Sequence, residues 1–374
     1  MEGADDQELY NQSFIECPGI LDKTKAAAVI CDAAVEKAIA LCVDGADIST
    51  VCGAVDTFVE EELLKVFSNK KSKKLDRGIA FPCCLSVNEV CGHMSPCPDD
   101  SAKLAQGNLV KIELGAHIDG YAAVAAHSII VGGKSEGKQA DVVSAAYNAF
   151  LAAQRAIKVG GTNHEVTKAI QAVCEEFEVE PLQGVLSHKM KKHLIDGNET
   201  IINKETPEQR VDDWEFAPGD IIGLDIFVSS GEGMAKEIDA RTTVYKREMD
   251  TQYSLKSKHA RSFFHIVNEK YPTLPFSIRG FEDLTGAKVG VKECVGHDLI
   301  MAYPVLAEKK GEFVAQFKAT VAVQPKSTAI LCGARPLADG VKSDKSIKND
   351  ELKALIASEL WKKEEKKKEK KEKK

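Results

Sequence analysis

The order of helical and strand-like segments constrains the fold of this chain more than any other feature of its sequence. In some segments apolar residues recur with helical spacing, and in others they lie between turn residues as in strands. Along the chain these segments are helices over 23–67, strands over 78–90 and 108–131, helices over 141–158 and 166–177, and strands over 221–228 and 313–323. Helices and strands interleave without a strict βαβ rhythm, so the sequence predicts an α+β fold.

Composition limits the class of protein further. The chain has 374 residues, 44% of them hydrophobic, which is enough to bury a sizeable core. No apolar run approaches the ~18–20 residues of a membrane-spanning helix, so we expect no membrane insertion. The acidic, polar start is unlike a secretory signal. Eleven cysteines without the spacing of a disulfide framework therefore predict reduced thiols in the cytosol or nucleus.

Charge is distributed unevenly along the chain. The formal net charge is −7, but residues 362–374 contain nine lysines and four glutamates, so that tail carries +5 and the rest of the chain carries −12. An acidic body with a basic tail indicates contact with a polyanion at one end. The alternative is a solvated tail that binds nothing specific.

Two further basic segments interrupt the acidic body, at residues 70–77 and 241–261. Tyr245 and Tyr253 lie within the second, and lysine, arginine and aromatic residues together suit contact with RNA phosphates and stacked bases. The candidate RNA-binding residues are Lys70, Lys71, Lys73, Lys74, Arg241, Lys246, Arg247, Lys256, Lys258, Arg261, Lys366, Lys367 and Lys368. For each segment taken alone, an ordinary solvated face is the alternative.

Several short stretches carry a resemblance that none of them carries alone. In chain order they are Gly78–Pro82, Ser86–Asn88, His93, Lys111–Gly115, Leu186–His188 and Ala315–Phe317. Together they resemble the methionine aminopeptidase superfamily, whose members have the pita-bread α+β fold. Their order and spacing match from about residue 20 to residue 335, so the resemblance implies that fold for most of the chain.

Two positions aligned with metal ligands, Asp225 and Lys318, lie 93 residues apart. Type II enzymes carry a helical, winged-helix-like insert between these positions, whereas type I enzymes have a short connection. The type II resemblance implies four parts: a flexible N-terminus (1–20), a pita-bread domain (21–241 with 304–340), the insert (242–303), and a C-terminal helix with a lysine-rich tail (341–374).

A narrower resemblance rests on four other stretches, which are Val228–Gly233, Arg241–Arg247, Gly311–Lys318 and Leu352–Leu355. They resemble the proliferation-associated, ErbB-receptor-binding protein family, whose members are non-enzymatic relatives of type II methionine aminopeptidases. The resemblance implies a growth-linked regulator of translation and ribosome biogenesis, with transcriptional roles, that binds ribosomal or other structured RNA and the ribosome. It implies a monomer without a cofactor, located in cytoplasm, nucleus and nucleolus.

The chemistry of the aligned metal positions agrees with loss of the enzyme's activity. The enzymes hold two divalent cations between two Asp, one His and two Glu, whereas the five positions here are Glu113, Val124, His188, Asp225 and Lys318. The two exchanged carboxylates move a ligand oxygen by about 1.5 Å, against a tolerance of about 0.2 Å. Valine cannot ligate a metal, and the lysine leaves a formal charge of −1 where several carboxylates are needed.

We therefore expect the ammonium of Lys318 to lie between Glu113 and Asp225, because a buried charge must be paired. The alternative is that these side chains diverge and water fills the space. His93 matches the substrate-binding histidine of the enzymes, so it is a relic of the pocket or an ordinary hydrogen-bonded histidine. The alternative function is an active metal-dependent methionine aminopeptidase with one metal on Glu113, His188 and Asp225.

Two other patterns have structural alternatives. Cys83, Cys84, Cys91, His93 and Cys97 could form a zinc site, but no C-x-x-C pair is present and buried thiols are the favoured interpretation. The segment Leu352–Ile356 resembles the L-x-x-L-L helix that inserts into partner proteins, with Ile in the last position. Packing of this apolar face on its own protein is the favoured alternative.

Overall fold

The computed structural model describes residues 12–68 and 75–363. Seven α-helices in these residues are α1 (Pro18–Leu41), α2 (Ile48–Lys65), α3 (Gly137–Ala156), α4 (Asn163–Glu176), α5 (Lys258–Lys270), α6 (Leu284–Gly296) and α7 (Asp350–Ala357). The strands there are β1 (Arg77–Val87), β2 (Val90–Gly92), β3 (Leu109–Ile118), β4 (Tyr121–Ile130), β5 (Glu180–Pro181), β6 (Leu186–Met190), β7 (Thr200–Ile202), β8 (Ile221–Ser229), β9 (Lys236–Glu237), β10 (Val244–Arg247), β11 (Phe276–Ser277), β12 (Ile300–Tyr303), β13 (Leu306–Ala307), β14 (Val314–Gln324) and β15 (Ser327–Cys332). The mixture confirms the predicted α+β class.

A nine-stranded sheet forms the centre of the molecule. Its main order is β1-β3-β4-β14-β8-β6-β7, with β15 added to β14 and β5 added to β8. Helices α1 and α2 pack on β1, β3 and β4, whereas α3 packs on β14 and β8 and α4 packs on α3. Two apolar clusters fill these layers, one beneath each helix pair. Helices thus cover one face of the sheet and leave the central strands free to present side chains on the other.

Residues 242–303, the insert expected from the type II resemblance, contain helices α5 and α6 and a small sheet in the order β11-β10-β12. An aromatic cluster that includes Phe263, Phe276 and Phe281 fills the space between them. The side chain of Glu293 accepts hydrogen bonds from the backbone N–H groups of Lys256 and Ser257 and so holds the start of α5 against α6.

The flexible N-terminus predicted over residues 1–20 extends too far along the chain. Helix α1 begins at Pro18, where the fixed φ of proline suits the first helical turn. Phe14 and Ile20 are buried against Val124 and Met190. The chain is therefore packed on the sheet from Phe14 onward, and residues 1–11 lie outside the described residues.

The C-terminal helix expected within residues 341–374 is α7. Its N-cap is Asn349, and it ends at Ala357 instead of running on into the tail. Trp361 accepts a hydrogen bond from Thr328 N, and Lys363 N donates to Lys326 O, so the chain pairs with the edge of β15 instead. The tail lysines Lys366, Lys367 and Lys368, like Lys70, Lys71, Lys73 and Lys74, lie outside the described residues.

All eleven cysteines are free thiols, and ten of them are buried. Within residues 12–68 and 75–363, no three His, Cys, Asp or Glu side chains are grouped to hold a metal ion. A search of the same residues finds no helix with the length and apolar character needed to cross a membrane.

Candidate functional site

Strand register brings three of the five expected metal positions into one row. Glu113 on β3 lies opposite Ala126 on β4, which in turn lies opposite Lys318 on β14. Lys318 also lies opposite Asp225 on β8. Because paired residues project to the same face of a sheet, these side chains lie side by side. The residues flanking Lys318 along β14 pack into the core beneath α3, so the row faces away from the helices.

The other two positions lie in the adjacent row of the same face. Gly223 on β8 pairs with Thr320 on one side and with His188 on the other. The hydroxyl group of Thr320 donates to Val124 O at 2.9 Å and accepts from Val124 N at 2.8 Å. Val124 and Thr320, which are 196 residues apart in sequence, are thus brought together by the sheet that β4, β14, β8 and β6 form.

Lys318 makes the contact predicted from the sequence. Its Nζ atom lies 2.7 Å from Glu113 Oε1 and 2.8 Å from Asp225 Oδ2. The side chains are 16%, 7% and 9% exposed, respectively. Gln316 Nε2 donates to the other oxygen of Asp225 at 3.0 Å. The ammonium is therefore held by two buried carboxylates, and the expected ion triad is confirmed.

The triad shifts the pKa of each of its members. Burial alone would lower the pKa of Lys318, but Asp225 and Glu113 raise it well above its usual value. Burial raises the pKa of Asp225 to about 6, against the attraction of Lys318. Burial would also raise the pKa of Glu113, but Lys318 and His93 hold it below its usual value. One ammonium cannot neutralise two carboxylates, so the remaining affinity for a proton lies mainly on Asp225.

These residues do not fit the dinuclear metal centre of the related enzymes. Val124 presents hydrocarbon, and a Cβ atom on Gly223 would lie 3.3 Å from Val124 Cγ2, so methyl groups fill that part of the site. His188 alone keeps a usable ligand, because its Nδ1 hydrogen bond with Gly197 O at 2.8 Å is an arrangement common in histidines that bind metal through Nε2. A lysine ammonium lies between the two carboxylates that remain. A divalent cation there would meet an existing positive charge.

A cavity of about 220 Å³ opens above the triad. The triad and His188 line its base. Its apolar walls are Phe81, Leu182, Val185, Leu186, Ile195, Phe227, Tyr303 and Leu306. His93 also lines the cavity, and its Nδ1 atom is 2.8 Å from Pro304 O. Its ring packs edge-on against Tyr303, and burial lowers the pKa of His93. His93 is therefore hydrogen-bonded and lines the cavity at the same time.

Three of the candidate RNA-binding residues are engaged within the protein. Arg241 pairs with Asp99 at 3.4 Å and with Asp100 at 2.8 Å. Lys246 donates to both carboxylate oxygens of Asp196, at 2.7 and 2.6 Å. The guanidinium of Arg247 lies 5.7 Å from the centre of the Phe264 ring. Lys246 is thus held within the protein, with its side chain 16% exposed, whereas Arg241 remains 46% exposed despite its ion pairs.

The remaining basic residues of that segment are exposed. Lys256 and Lys258 lie at the start of α5, and Arg261 lies one turn further on. The guanidinium of Arg261 donates to the carbonyl oxygens of Leu255 and Lys256, at 3.1 and 2.6 Å. Three cationic side chains therefore lie around the N-terminus of α5, together with the carboxylate of Glu293, which accepts hydrogen bonds from Lys256 N and Ser257 N.

The L-x-x-L-L-like segment packs on its own protein. Leu352 is 7% exposed, and Leu355 and Ile356 contact the same cluster beneath α3 and α4. The hypothesis that this segment inserts into a partner is therefore wrong for the described conformation, because its apolar face is already buried.

Sequence reasoning missed a buried carboxylate, Glu308. Its Oε2 atom accepts hydrogen bonds from Ser229 Oγ at 2.9 Å, Gly233 N at 2.8 Å and Met234 N at 3.1 Å. The stretch Val228–Gly233, which carries part of the family resemblance, is thus a loop folded around this group. The Ser and Gly content of that stretch was the available signal, since both suit a backbone that surrounds an anion.

Comparison with known proteins gives a family and several relatives. The model of metallopeptidase family M24 matches residues 22–235. Proliferation-associated protein A of Dictyostelium discoideum is 42% identical and covers 95% of this chain and 94% of its own length. ErbB-3 binding protein 1 of Arabidopsis thaliana is 37% identical, with 96% and 91% covered. The solved structure of a thermophilic Arx1 is 26% identical with a TM-score of 0.85, and covers 92% of this chain and 99% of that chain.

Proposed function

The chain belongs to metallopeptidase family M24 and, within it, to the proliferation-associated and ErbB-3-binding proteins, and from this we propose that it is a binding protein without peptidase activity. In this proposal the pita-bread fold is a rigid scaffold that docks on ribosomal or other structured RNA and on the ribosome. Its role is regulation of growth-linked translation, ribosome biogenesis and transcription. The name of the Dictyostelium relative supports the link to proliferation.

The position of Lys318 carries the proposal that the site is inactive. Hydrolysis by the related enzymes needs two cations that bind and orient water. Here the ammonium of Lys318 lies 2.7–2.8 Å from the carboxylates that would bind them. The alternative of a one-metal peptidase on Glu113, His188 and Asp225 is disfavoured by the same contact, because removing Lys318 from two buried carboxylates is costly.

The exposed basic residues support RNA as the partner. Lys256, Lys258 and Arg261 surround the start of α5, and Tyr253 stacks on His297 nearby, with ring centres 3.6 Å apart. Cations beside an exposed aromatic pair suit phosphates and unstacked bases. Residues 362–374 add +5. A body with a net charge of −12 would otherwise repel RNA.

The test is cosedimentation of the full-length protein with purified ribosomes over a range of salt concentrations. We expect association that weakens as salt rises, because lysine–phosphate contacts release counterions. Removal of Lys362–Lys374 should weaken binding and flatten the salt dependence. A matched control replaces only the glutamates of the same tail with glutamine, which should strengthen binding.

Two results would contradict the proposal. Equal cosedimentation of intact and truncated protein at every salt concentration would exclude a role for the tail. One or more equivalents of tightly bound cobalt or manganese, lost on His188→Ala, would reopen the peptidase interpretation. We further propose that the protein is a monomer located in cytoplasm, nucleus and nucleolus.

A further inference from the structure

A second group of lysines lies outside the segments singled out by sequence. Lys189, Lys191 and Lys192 follow one another at the end of β6. The chain turns tightly there, because Lys191 and Leu194 exchange both of their backbone hydrogen bonds, at 2.9 and 3.1 Å. Lys23 on α1 approaches from the other side. This group of four, Lys23, Lys189, Lys191 and Lys192, is called the edge lysine cluster below.

Three members of the edge lysine cluster, Lys189, Lys191 and Lys192, line a pocket of about 260 Å³. Its other lining residues include Phe14, Tyr121, Asp220 and the polar residues Gln12 and Ser13. The four lysine side chains are only 21–30% exposed. Lysines on a solvated face are usually far more exposed, so these side chains are ordered against the protein surface.

Two of the four lysines have a structural partner. Lys23 makes a close ion pair with Asp119, and Lys189 makes one with Asp220 at 2.8 Å. Asp220 in turn accepts a hydrogen bond from Ala217 N and is buried. These two pairs tie α1 and β6 to neighbouring turns.

The other two lysines are not satisfied in this way. Lys191 approaches Glu199 only to 3.7 Å, and Lys192 approaches Asp119 only to 3.7 Å. Both distances exceed hydrogen-bond length. Among the described residues, neither ammonium has a hydrogen-bond acceptor, although each carries three donors. With four lysines and three carboxylates in contact, the cluster keeps one positive charge.

The ammonium of Lys192 is held in place before any ligand arrives. Lys192 and Lys23 lie 5.7 and 5.3 Å from the centre of the Tyr121 ring, within cation–π range. A lysine that is already ordered loses less side-chain entropy on binding than a mobile one. Lys191 is 30% exposed and lines the same pocket. The arrangement therefore favours a ligand that accepts hydrogen bonds from both lysines.

We infer that the pocket of the edge lysine cluster binds a phosphate of the RNA backbone, with Lys191 and Lys192 as donors. This inference rests on the proposed function. A phosphodiester carries one negative charge and accepts several hydrogen bonds, which matches the residual charge and the free donors of the cluster. At about 260 Å³ the pocket is smaller than the ~300–1,000 Å³ of drug-sized ligand sites. It therefore suits one phosphate with its sugar and not a larger molecule.

The test compares RNA binding by the full-length protein and three double variants. The probe is a fluorescently labelled RNA hairpin of defined sequence, titrated at several salt concentrations. We expect Lys191→Ala/Lys192→Ala to bind the RNA about tenfold more weakly than the wild type. The magnitude of the slope of log K against log salt should also decrease by about 0.7–0.9, the change expected for one lost phosphate contact. Lys25→Ala/Lys37→Ala, which removes two exposed lysines of α1, is the matched control and should change little. Lys191→Arg/Lys192→Arg should keep the slope.

The outcomes separate this inference from the proposed function. If the wild-type protein does not bind the hairpin, the proposed function itself fails. If it binds and the Lys191/Lys192 variant has the affinity and slope of the Lys25/Lys37 control, only the pocket is excluded. Competition by polyglutamate but not by unlabelled RNA would identify an acidic peptide and overturn the inference. If millimolar inorganic phosphate competes and no other competitor does, the pocket binds free phosphate and not the RNA backbone. Equal thermal midpoints of the variants exclude misfolding as the cause.

Discussion

At the scale of single residues, Lys318 has two consequences at once. Its ammonium lies between two buried carboxylates, and position 318 is one of those that the sequence resemblance aligns with a metal ligand. Burial of charge is costly unless it is paired, so the three side chains depend on one another. In the proposed non-catalytic role, Lys318 and Val124 together leave the site without the ligands that a dinuclear metal centre needs.

Removal of the lysine should destabilise the protein. We expect Lys318→Met to lower the free energy of unfolding by about 3–5 kcal/mol, because Glu113 and Asp225 would remain buried without a cation. Urea denaturation monitored by fluorescence measures this. The triple variant Lys318→Met/Glu113→Gln/Asp225→Asn is the control, since it removes all three charges and should recover most of the loss. An unchanged midpoint for Lys318→Met alone would contradict the buried triad.

The raised pKa of Asp225 predicts a pH dependence of stability. A folded-state pKa of about 6, above the ordinary carboxyl value, means that the folded state binds this proton more tightly than the unfolded state. Stability from this group is therefore greatest below about pH 4 and falls as the pH rises to about 6, by up to about 3 kcal/mol. Subtracting the profile of Asp225→Asn from that of the wild type isolates the effect. A difference that is flat between pH 4 and pH 7 would show that Asp225 is not perturbed.

At the scale of elements, the loop after β8 depends on one buried carboxylate. Glu308 is 5% exposed and accepts three hydrogen bonds at a single oxygen, two of them from backbone N–H groups. A positive φ of 72° at Gly233 allows the loop to close, and a Cβ atom there would lie 2.7 Å from Pro181 O. The loop therefore holds β8, β13 and β5 in one arrangement.

We expect Glu308→Gln to lower the free energy of unfolding by about 2–3 kcal/mol, because the amide offers weaker acceptors to the same buried donors. Differential scanning calorimetry gives the change, and hydrogen exchange should increase first in residues 229–234. Glu237→Gln, at an exposed position of β9, is the control. Equal losses for the two variants would rule out a special role for the buried group.

At the scale of the whole molecule, a buried ion pair fastens the insert to the main domain. Arg279, just after β11, donates to Asp56 on α2 and to Ser95 Oγ, and its side chain is 7% exposed. Lys246 on β10 holds Asp196 from the other side of the insert. The insert forms one wall of the cavity above the triad through Tyr303, so its position also shapes that cavity.

Loss of this contact should loosen the insert without unfolding the main sheet. For Arg279→Met we expect amides of α5 and α6 to exchange about 10- to 100-fold faster, while those of β3, β4 and β14 keep their rates, because the insert has its own core. Hydrogen exchange read by mass spectrometry resolves the two regions. Arg241→Met removes an arginine pair that is 46% exposed, and it should have little effect. Uniform acceleration over the whole chain would mean global destabilisation instead.

The sequence by itself determined the fold class, the family and the positions of most elements. Strands such as β8 and β14 were predicted to within one or two residues, because buried strands require continuous apolar residues between turn signals. The ordered motifs implied the pita-bread fold, which the family match confirms. Alternation along β14 and the need to pair a buried charge were enough to predict the contact of Lys318. The reason is that the alternation of residues along a strand is a local property, and a buried charge needs a partner however the chain packs.

Only the tertiary structure decided which charged and apolar surfaces remain available. Arg241, Lys246 and Arg247 have the same sequence character as Lys256 and Lys258, yet the first three contact groups on distant segments or neighbouring rings. The apolar face of α7 likewise packs against α3 and α4 instead of remaining open. Glu308 and the edge lysine cluster became visible only when strands distant in sequence were paired. Partners of a side chain depend on which distant segments pack beside it, and no local pattern specifies that.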